Sequence, residues 1–220
     1  MIVIFDLDGT LLNTIADLGE ACNVALEACH LPTHRREEYP GLVGNGVRKL
    51  IERALPAEMR TAEMVEKVAA HFIPYYDTHN CVHTHPYAGI PELLAALKAR
   101  GCKLAVASNK YQSATETIVH HFFPGVFDVV LGEREGVERK PSPRIVEDIL
   151  DRCAERTKTA CAERQKTLYV GDSLVDRDTA KNAGVPFVAC SWGFVPREQL
   201  VEAGVATIID QPNELLEIQI

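Results

Sequence analysis

Short runs of apolar, β-branched residues recur along this chain and constrain its fold more than any other feature of the sequence. Six such runs can be recognised, at residues 2–5, 103–107, 127–131, 167–170, 186–190 and 206–209. Helical patterns of apolar residues separate the later runs from one another. This alternation is typical of βαβ units, in which helices cover both faces of a parallel sheet. We therefore predict an α/β fold.

The interval between the first two runs breaks the alternation, because it contains no convincing strand. Apolar residues recur at helical spacing in three stretches of it, Ile15 to Cys29, Val47 to Ala54 and Met64 to Tyr76. We interpret the interval as an all-helical domain of residues 15–85, inserted into a core domain of residues 1–14 and 86–220. Pro86 and Gly89 mark the return to the core, where a hinge is expected.

The charge and cysteine content narrow the classes of protein to which the chain can belong. It has 220 residues, of which 31 are acidic and 23 basic, and a net charge of −8. A negative charge without a basic run argues against nucleic-acid binding. The N-terminal apolar run lacks the basic flank of a signal peptide, and no segment approaches membrane-spanning length. Seven dispersed cysteines indicate reduced thiols. We expect a cytoplasmic protein without a membrane partner.

Polar residues with catalytic potential follow four of the predicted strands. In chain order they are Asp6 and Asp8, then Ser108, Asn109 and Lys110, then Lys140, and finally Asp172 and Asp176. The carboxyl ends of parallel strands meet at one edge of a sheet, and ligands of open α/β sheets bind there. We therefore expect these side chains to form one site.

The chemistry of this set favours phosphoryl transfer. Four clustered carboxylates repel one another, and Mg²⁺ is a hard cation that accepts such oxygen ligands. Ser108 and Lys140 offer a hydroxyl group and a positive charge to phosphate oxygens. Lys110 is either a neighbour of the phosphate or part of a structural ion pair. The alternative is a purely structural role for these aspartates, in which they form turns and helix caps, with Asp176 at the start of a helix.

Four signatures in this order resemble those of the haloacid dehalogenase-like hydrolase superfamily. They are the DLDGT segment at 6–10, Ser108 at a strand end, Lys140 followed by Pro141, and the GDSLVD segment at 171–176. The resemblance covers essentially the whole chain. It implies a Rossmann-like, doubly wound core with a helical cap inserted after the first strand.

The resemblance also implies roles for individual residues. Asp6 would attack phosphorus and become an aspartyl phosphate, and Asp8 would act as general acid and then as general base. The implied Mg²⁺ ligands are the Asp6 carboxylate, the Asp8 backbone carbonyl and Asp172, with Asp176 acting through water or orienting a ligand. The implied phosphate-binding groups are Ser108, the Asn109 backbone and Lys140.

Within the superfamily the chain is most similar to phosphoglycolate phosphatases with a helical cap. The segments that carry this resemblance are GTLLNT, LVGNGVRKLI, HPYAGIPELLAALKARG and SNK. The glycine-rich segment would cover the active site, which makes Gly44, Asn45, Gly46 and Arg48 candidates for substrate selection. The alternatives are that the two glycines form a tight turn between helices and that Arg48 is a solvated or structural arginine.

These observations predict a Mg²⁺-dependent phosphatase of small phosphorylated metabolites, with 2-phosphoglycolate as the first candidate. An acid at Asp8 favours phosphate esters over carbon–halogen bonds, because a leaving alkoxide needs a proton. The alternatives on the same core are a β-phosphoglucomutase-like sugar-phosphate mutase and a pyrophosphatase or nucleotidase. A non-catalytic regulator is disfavoured, because no catalytic group is missing. We expect a monomer or a homodimer, and we assign no chemistry to Trp192.

Overall fold

The structure is a computed structural model that describes residues 1–153 and 166–218. The polar, charge-rich sequence of residues 156–166 predicts a surface loop or a frayed helix end, and of these residues only Lys166 belongs to the described part of the chain. In the described part, no helix has the length and hydropathy needed to span a membrane.

Six parallel strands form the central sheet, in the order β5-β4-β1-β6-β7-β8. The strands of the protein are β1 (Ile2–Phe5), β2 (Leu12–Asn13), β3 (His85–Pro86), β4 (Lys103–Tyr111), β5 (Val129–Glu133), β6 (Thr167–Gly171), β7 (Phe187–Cys190) and β8 (Ile208–Ile209). Each of the six apolar runs overlaps with one strand of this sheet. The predicted α/β fold with a parallel, Rossmann-like sheet is confirmed.

The α-helices of the described residues are α1 (Ile15–Ala28), α2 (Val47–Ala54), α3 (Ala62–His79), α4 (Ile90–Ala99), α5 (Gln112–Phe122), α6 (Arg144–Cys153), α7 (Leu174–Ala183) and α8 (Arg197–Glu202). Helices α4 and α5 pack in the core on one face of the sheet, and α6 and α7 pack in the core on the other. Alternate residues of β1 enter two separate cores: Val3 and Phe5 pack in the first, and Ile2 and Ile4 in the second. Burial on both faces explains why this strand has no polar residue.

A short antiparallel ribbon joins the two segments that connect the sheet with the helices α1, α2 and α3. Leu12 of β2 pairs with Pro86 of β3, and Asn13 pairs with His85. The prediction that this interval contains no strand was therefore wrong, because strands of two residues carry no alternation of polar and apolar positions. We refer to residues 15–85 as the cap, and its exact boundaries stay a prediction.

Candidate active site

The sheet order places three of the predicted site segments side by side. Strand β1 lies between β4 and β6, so Asp6 and Asp172 directly follow two adjacent strands and Ser108 lies within the third. The structure extends β4 beyond the predicted run, to Tyr111, with a shift of its pairing register between Ala107 and Tyr111. Ser108, Asn109 and Lys110 lie in this irregular stretch rather than after the strand.

A buried lysine joins two of the predicted acids. Lys140 Nζ lies 2.9 Å from Asp6 Oδ1 and 2.8 Å from Asp176 Oδ1. It also donates to the carbonyl oxygen of Ala107 at 2.9 Å. Burial alone would lower the pKa of Lys140, but Asp176 and Asp6 raise it well above its ordinary value. Lys140 is therefore a fixed positive charge beside the Asp6 carboxylate.

The side chain of Asn109 holds Lys140 in this position. Its Oδ1 accepts a hydrogen bond from the Lys140 backbone N–H at 3.0 Å, and its Nδ2 donates to the Lys140 carbonyl at 3.3 Å. The same Nδ2 lies 3.3 Å from the carbonyl oxygen of Gly44 in the cap. The Asn109 amide thus links the loop after β5 to the cap, whereas the predicted phosphate contact concerns only its backbone.

Three carboxylates form a cluster that fits a divalent cation. One oxygen each of Asp6, Asp172 and Asp176 lies within 4.8 Å of the others. Burial, followed by repulsion from Asp176, raises the pKa of Asp172 to about 7. Burial, followed by Asp176, also raises the pKa of Asp6 well above its ordinary value, although Lys140 opposes this shift. The cluster therefore holds more negative charge than one lysine neutralises. A hard divalent cation bound by these oxygens would neutralise the excess.

Asp176 serves two purposes in this cluster. Ser173, not Asp172, is the N-cap of α7, and its hydroxyl accepts a hydrogen bond from the Asp176 N–H at 3.2 Å. Asp176 Oδ2 in turn accepts from the Ser173 backbone and hydroxyl groups at 3.1 and 2.6 Å. Its other oxygen faces Lys140. The helix-cap alternative thus describes part of what Asp176 does, and the ion pair describes the rest.

Residues after β7 complete the surroundings of Asp172, and they were not among the predicted site residues. The backbone N–H of Phe194 donates to Asp172 Oδ2 at 2.7 Å, and Thr10 Oγ1 donates to Oδ1 at 3.1 Å. Trp192 Nε1 donates to the carbonyl of Thr10 at 3.0 Å, which gives this tryptophan a structural role. The signal was available, because this segment also follows a strand at the same edge of the sheet.

Asp8 has its own lysine and lies apart from the three-carboxylate cluster. Its Oδ1 is 3.0 Å from Lys110 Nζ and accepts a hydrogen bond from Thr14 Oγ1 at 2.7 Å. Of the two alternatives for Lys110, the structure places it in the ion pair. A metal contact of Asp8 through its backbone carbonyl stays a prediction.

A cavity opens above Asp6 and Asp8. Its polar end also includes Ser108, Asn109, Lys110 and Lys140. Apolar side chains of the cap form much of the rest of the wall, namely Leu18, Val43, Val47, Leu50 and Phe72. Active sites of this form combine a few placed charges with an apolar lining.

The four cap residues predicted to select the substrate are not all brought to this cavity. Gly44 and Gly46 line it, but Asn45 and Arg48 do not. The Arg48 guanidinium is instead bound to Glu66, with distances of 2.5 and 3.0 Å, and its side chain is 48% exposed. A role for Arg48 in binding a substrate carboxylate is therefore not supported by its position.

Comparison with known proteins agrees with this geometry. A sequence model of the haloacid dehalogenase-like hydrolase family matches residues 3–190. The chain belongs to this family. A phosphoglycolate phosphatase from Mesorhizobium japonicum is 33% identical over 199 residues, covering 89% of this chain and 85% of the relative. An N-acetylmuramic acid 6-phosphate phosphatase from Pseudomonas aeruginosa is 32% identical over 219 residues, with 98% and 93% covered.

A solved structure is similar over nearly its whole length. It is a Lactobacillus delbrueckii protein assigned provisionally to phosphoglycolate phosphatase, with a TM-score of 0.89, 33% identity and coverage of 98% of this chain and 96% of that one. The predicted superfamily and subfamily resemblance are confirmed. The family match and the phosphatase relatives support a phosphoric monoester hydrolase, as the four signatures predicted.

Proposed function

We propose that this member of the family is a Mg²⁺-dependent phosphatase that works through an aspartyl phosphate on Asp6. The observation that carries the proposal is the position of Asp6. Its carboxylate follows the central strand, opens into the cavity and lies 2.9 Å from the buried ammonium group of Lys140. A carboxylate fixed beside a positive charge can approach a phosphoryl group that would otherwise repel it.

In the first step, an oxygen of Asp6 attacks phosphorus and the bond between phosphorus and the ester oxygen breaks. Asp8, protonated at this stage, gives its proton to the leaving oxygen, so that an alcohol departs. In the second step, Asp8 takes a proton from water as the water oxygen attacks phosphorus. The bond to Asp6 then breaks, which releases inorganic phosphate and regenerates both carboxyl groups.

The chain's own residues hold the transferring group during both steps. Lys140 offers positive charge on the Asp6 side, and Ser108 also lines the cavity. We assign the Mg²⁺ ligands to the Asp6 carboxylate, the Asp8 carbonyl and Asp172, with Asp176 orienting Lys140. A bound Mg²⁺ supplies neutralisation of the charge that accumulates on the phosphoryl oxygens.

Small phosphorylated metabolites are the proposed substrates, and 2-phosphoglycolate is the first to test, because relatives at about a third identity bear that name. A sugar phosphate is a reasonable second member of the panel, since another relative is named for N-acetylmuramic acid 6-phosphate. Inclusion of a hexose 1-phosphate, with product analysis, separates hydrolysis from mutase chemistry.

The decisive experiment is a phosphate-release screen with and without Mg²⁺, on the wild type and on Asp6→Asn. We expect Mg²⁺-dependent release by the wild type and none by Asp6→Asn, because an amide is not a nucleophile here. Asp151→Asn, on an exposed part of α6, is the matched control and should behave as the wild type. Appreciable turnover by Asp6→Asn would contradict the assignment of the nucleophile.

A further inference from the structure

Lys110 occupies a position that the proposed reaction does not yet explain. It is buried at the irregular end of β4, with its side chain 4% exposed. Its Nζ contacts two groups from distant parts of the chain: Asp8 Oδ1 at 3.0 Å and the hydroxyl of Tyr76 at 2.7 Å. Tyr76 belongs to α3 of the cap, so this lysine joins the cap to the general acid.

The contacts of Asp8 distinguish its two oxygens. Lys110 and Thr14 both approach Oδ1, and in the described part of the chain no hydrogen bond reaches Oδ2. Oδ2 is therefore the oxygen available to give a proton to the leaving group and later to take one from water. Two partners contact the same oxygen of this carboxyl group, and together they fix its orientation. General acid catalysis requires such a fixed orientation.

Tyr76 in turn fixes Lys110. A lysine side chain has many rotamers, and holding it in one conformation costs entropy unless its ammonium group has partners. The Tyr76 hydroxyl supplies one partner, and its ring lies 4.6 Å from Nζ. Tyr76 is itself fully buried and stacked on Phe72 at 5.4 Å. Its position thus follows from the packing of the cap.

We propose that Lys110 is a positioning residue that aims Asp8 at the leaving-group oxygen, and that Tyr76 makes this orientation depend on a docked cap. The inference rests on the proposed phosphatase reaction. Each of the two aspartates of the DLDGT segment then has a dedicated lysine: Lys140 for the nucleophile and Lys110 for the general acid. The simpler alternative, in which Lys110 binds phosphate, predicts a different dependence on the leaving group.

The test compares two phosphate monoesters that differ in their need for an acid. The p-nitrophenolate of p-nitrophenyl phosphate departs without being protonated, whereas the alkoxide of an alkyl phosphate needs a proton to depart. The kinetic constant to measure is kcat/KM, because it reports formation of the aspartyl phosphate. We expect Lys110→Met to lower kcat/KM for the alkyl ester by about tenfold or more beyond its effect on the aryl ester. Tyr76→Phe should show the same selectivity to a smaller degree.

Two neighbouring tyrosines provide matched controls with the same substitution. The Tyr75 hydroxyl donates to Glu20 within the cap, and the Tyr111 hydroxyl donates to Asp77 between the core and the cap. Tyr75→Phe tests the loss of a hydroxyl from α3, and Tyr111→Phe tests weaker docking of the cap without a change at Asp8. Both should affect the two esters by equal factors.

An equal loss for both esters in Lys110→Met would overturn the proposal and favour phosphate binding by Lys110. If Tyr76→Phe lowered kcat/KM for the alkyl and the aryl ester by equal factors, as expected for Tyr111→Phe, the role assigned to the cap would be overturned. Tyr76→Phe keeps the buried ring, so it gives the same comparison if Lys110→Met does not fold. A wild type without Mg²⁺-dependent turnover of either ester would instead contradict the proposed function.

Discussion

The backbone N–H of Phe194 donates a hydrogen bond of 2.7 Å to Asp172 Oδ2, which makes the segment after β7 part of the acidic cluster. The preceding residue allows this contact. A Cβ atom added to Gly193 would collide with the Asp172 side chain, so only glycine lets the backbone approach the carboxylate this closely. The orientation of Asp172 therefore depends on a backbone segment that contributes no polar side chain to the site.

Gly193→Ala should displace Asp172 and weaken Mg²⁺ binding. Changes to groups that orient a metal ligand typically cost about 10- to 100-fold in metal affinity or activity. We expect a higher Mg²⁺ concentration for half-maximal phosphate release, with the protein still folded by circular dichroism. Gly41→Ala is the matched control, because a Cβ there meets no atom within 4 Å. An unchanged Mg²⁺ requirement in Gly193→Ala would show that Asp172 is not a ligand.

The sequence was sufficient to predict which side chains lie together at the candidate site, but not the backbone groups that orient them. Asp6, Ser108 and Asp172 follow from a single rule, because polar residues at the ends of parallel strands meet at one edge. Phe194 acts through its backbone, and Gly193 acts through the absence of a side chain. Neither leaves a chemical signature in the sequence. The same rule applied to the fifth run would have drawn attention to the segment that contains them.

The fold was predictable where burial is complete and not where elements are short. The strand Ile2–Phe5 is apolar throughout because both of its faces are covered, so its run is easily recognised. The ribbon of Leu12–Asn13 and His85–Pro86 has two residues in each strand and is therefore invisible to periodicity. The alternative of a solvated or structural Arg48 agrees with its exposed ion pair, but the partner Glu66 could not be predicted, because it lies in another helix.

Asp8→Asn should impair both steps of the proposed reaction. An asparagine keeps the shape of the side chain and cannot exchange a proton, and general acid–base catalysis contributes roughly 10²- to 10⁴-fold. We expect the turnover of an alkyl phosphate to decrease by a factor within that range. The leaving group of p-nitrophenyl phosphate departs without an acid, so the aspartyl phosphate still forms from this substrate. It should accumulate, because its hydrolysis needs Asp8 as the base. Mass spectrometry after acid quenching detects this phosphorylated protein, and its absence together with normal turnover would exclude Asp8 as the acid and base.

Mg²⁺ should stabilise the protein more strongly at high pH. Burial and Asp176 raise the pKa of Asp172 from 3.8 to about 7 without metal, so the folded state holds a proton that the unfolded state releases. The metal-free protein should therefore lose stability as the pH rises between these values. Mg²⁺ competes with that proton, and its effect on Tm should grow over the same range. Thermal unfolding at about pH 5 and about pH 8 measures this, with Asp172→Asn as the control that should weaken the dependence, because the pKa of Asp6 is raised as well.

Two arginines of α2, Arg48 and Arg53, should differ in their effect on catalysis. Arg48 is nearer in the sequence to the glycine-rich segment, but substitution of Arg53 should have the larger effect. Arg53 Nη1 donates to the carbonyl oxygens of Leu42 and Val43 at 2.9 and 3.0 Å, and its Nη2 donates to Asn45 Oδ1 at 2.6 Å. It thereby holds the loop of residues 42–46, whose glycines line the cavity. Among the described residues, Arg48 forms an ion pair only with Glu66, and exposed pairs of this kind contribute about 0–1 kcal/mol.

Arg53→Met should therefore lower kcat/KM by about tenfold or more, because displacement of the loop by about 1 Å alters the fit of the substrate. Arg48→Met should change kcat/KM by less than about twofold, as expected for the loss of a surface ion pair. The two variants remove the same charge from the same helix, so a general effect of charge or helix stability would affect both alike. A larger loss in Arg48→Met than in Arg53→Met would place the Arg48 guanidinium at the substrate during turnover and would require a cap conformation different from this one.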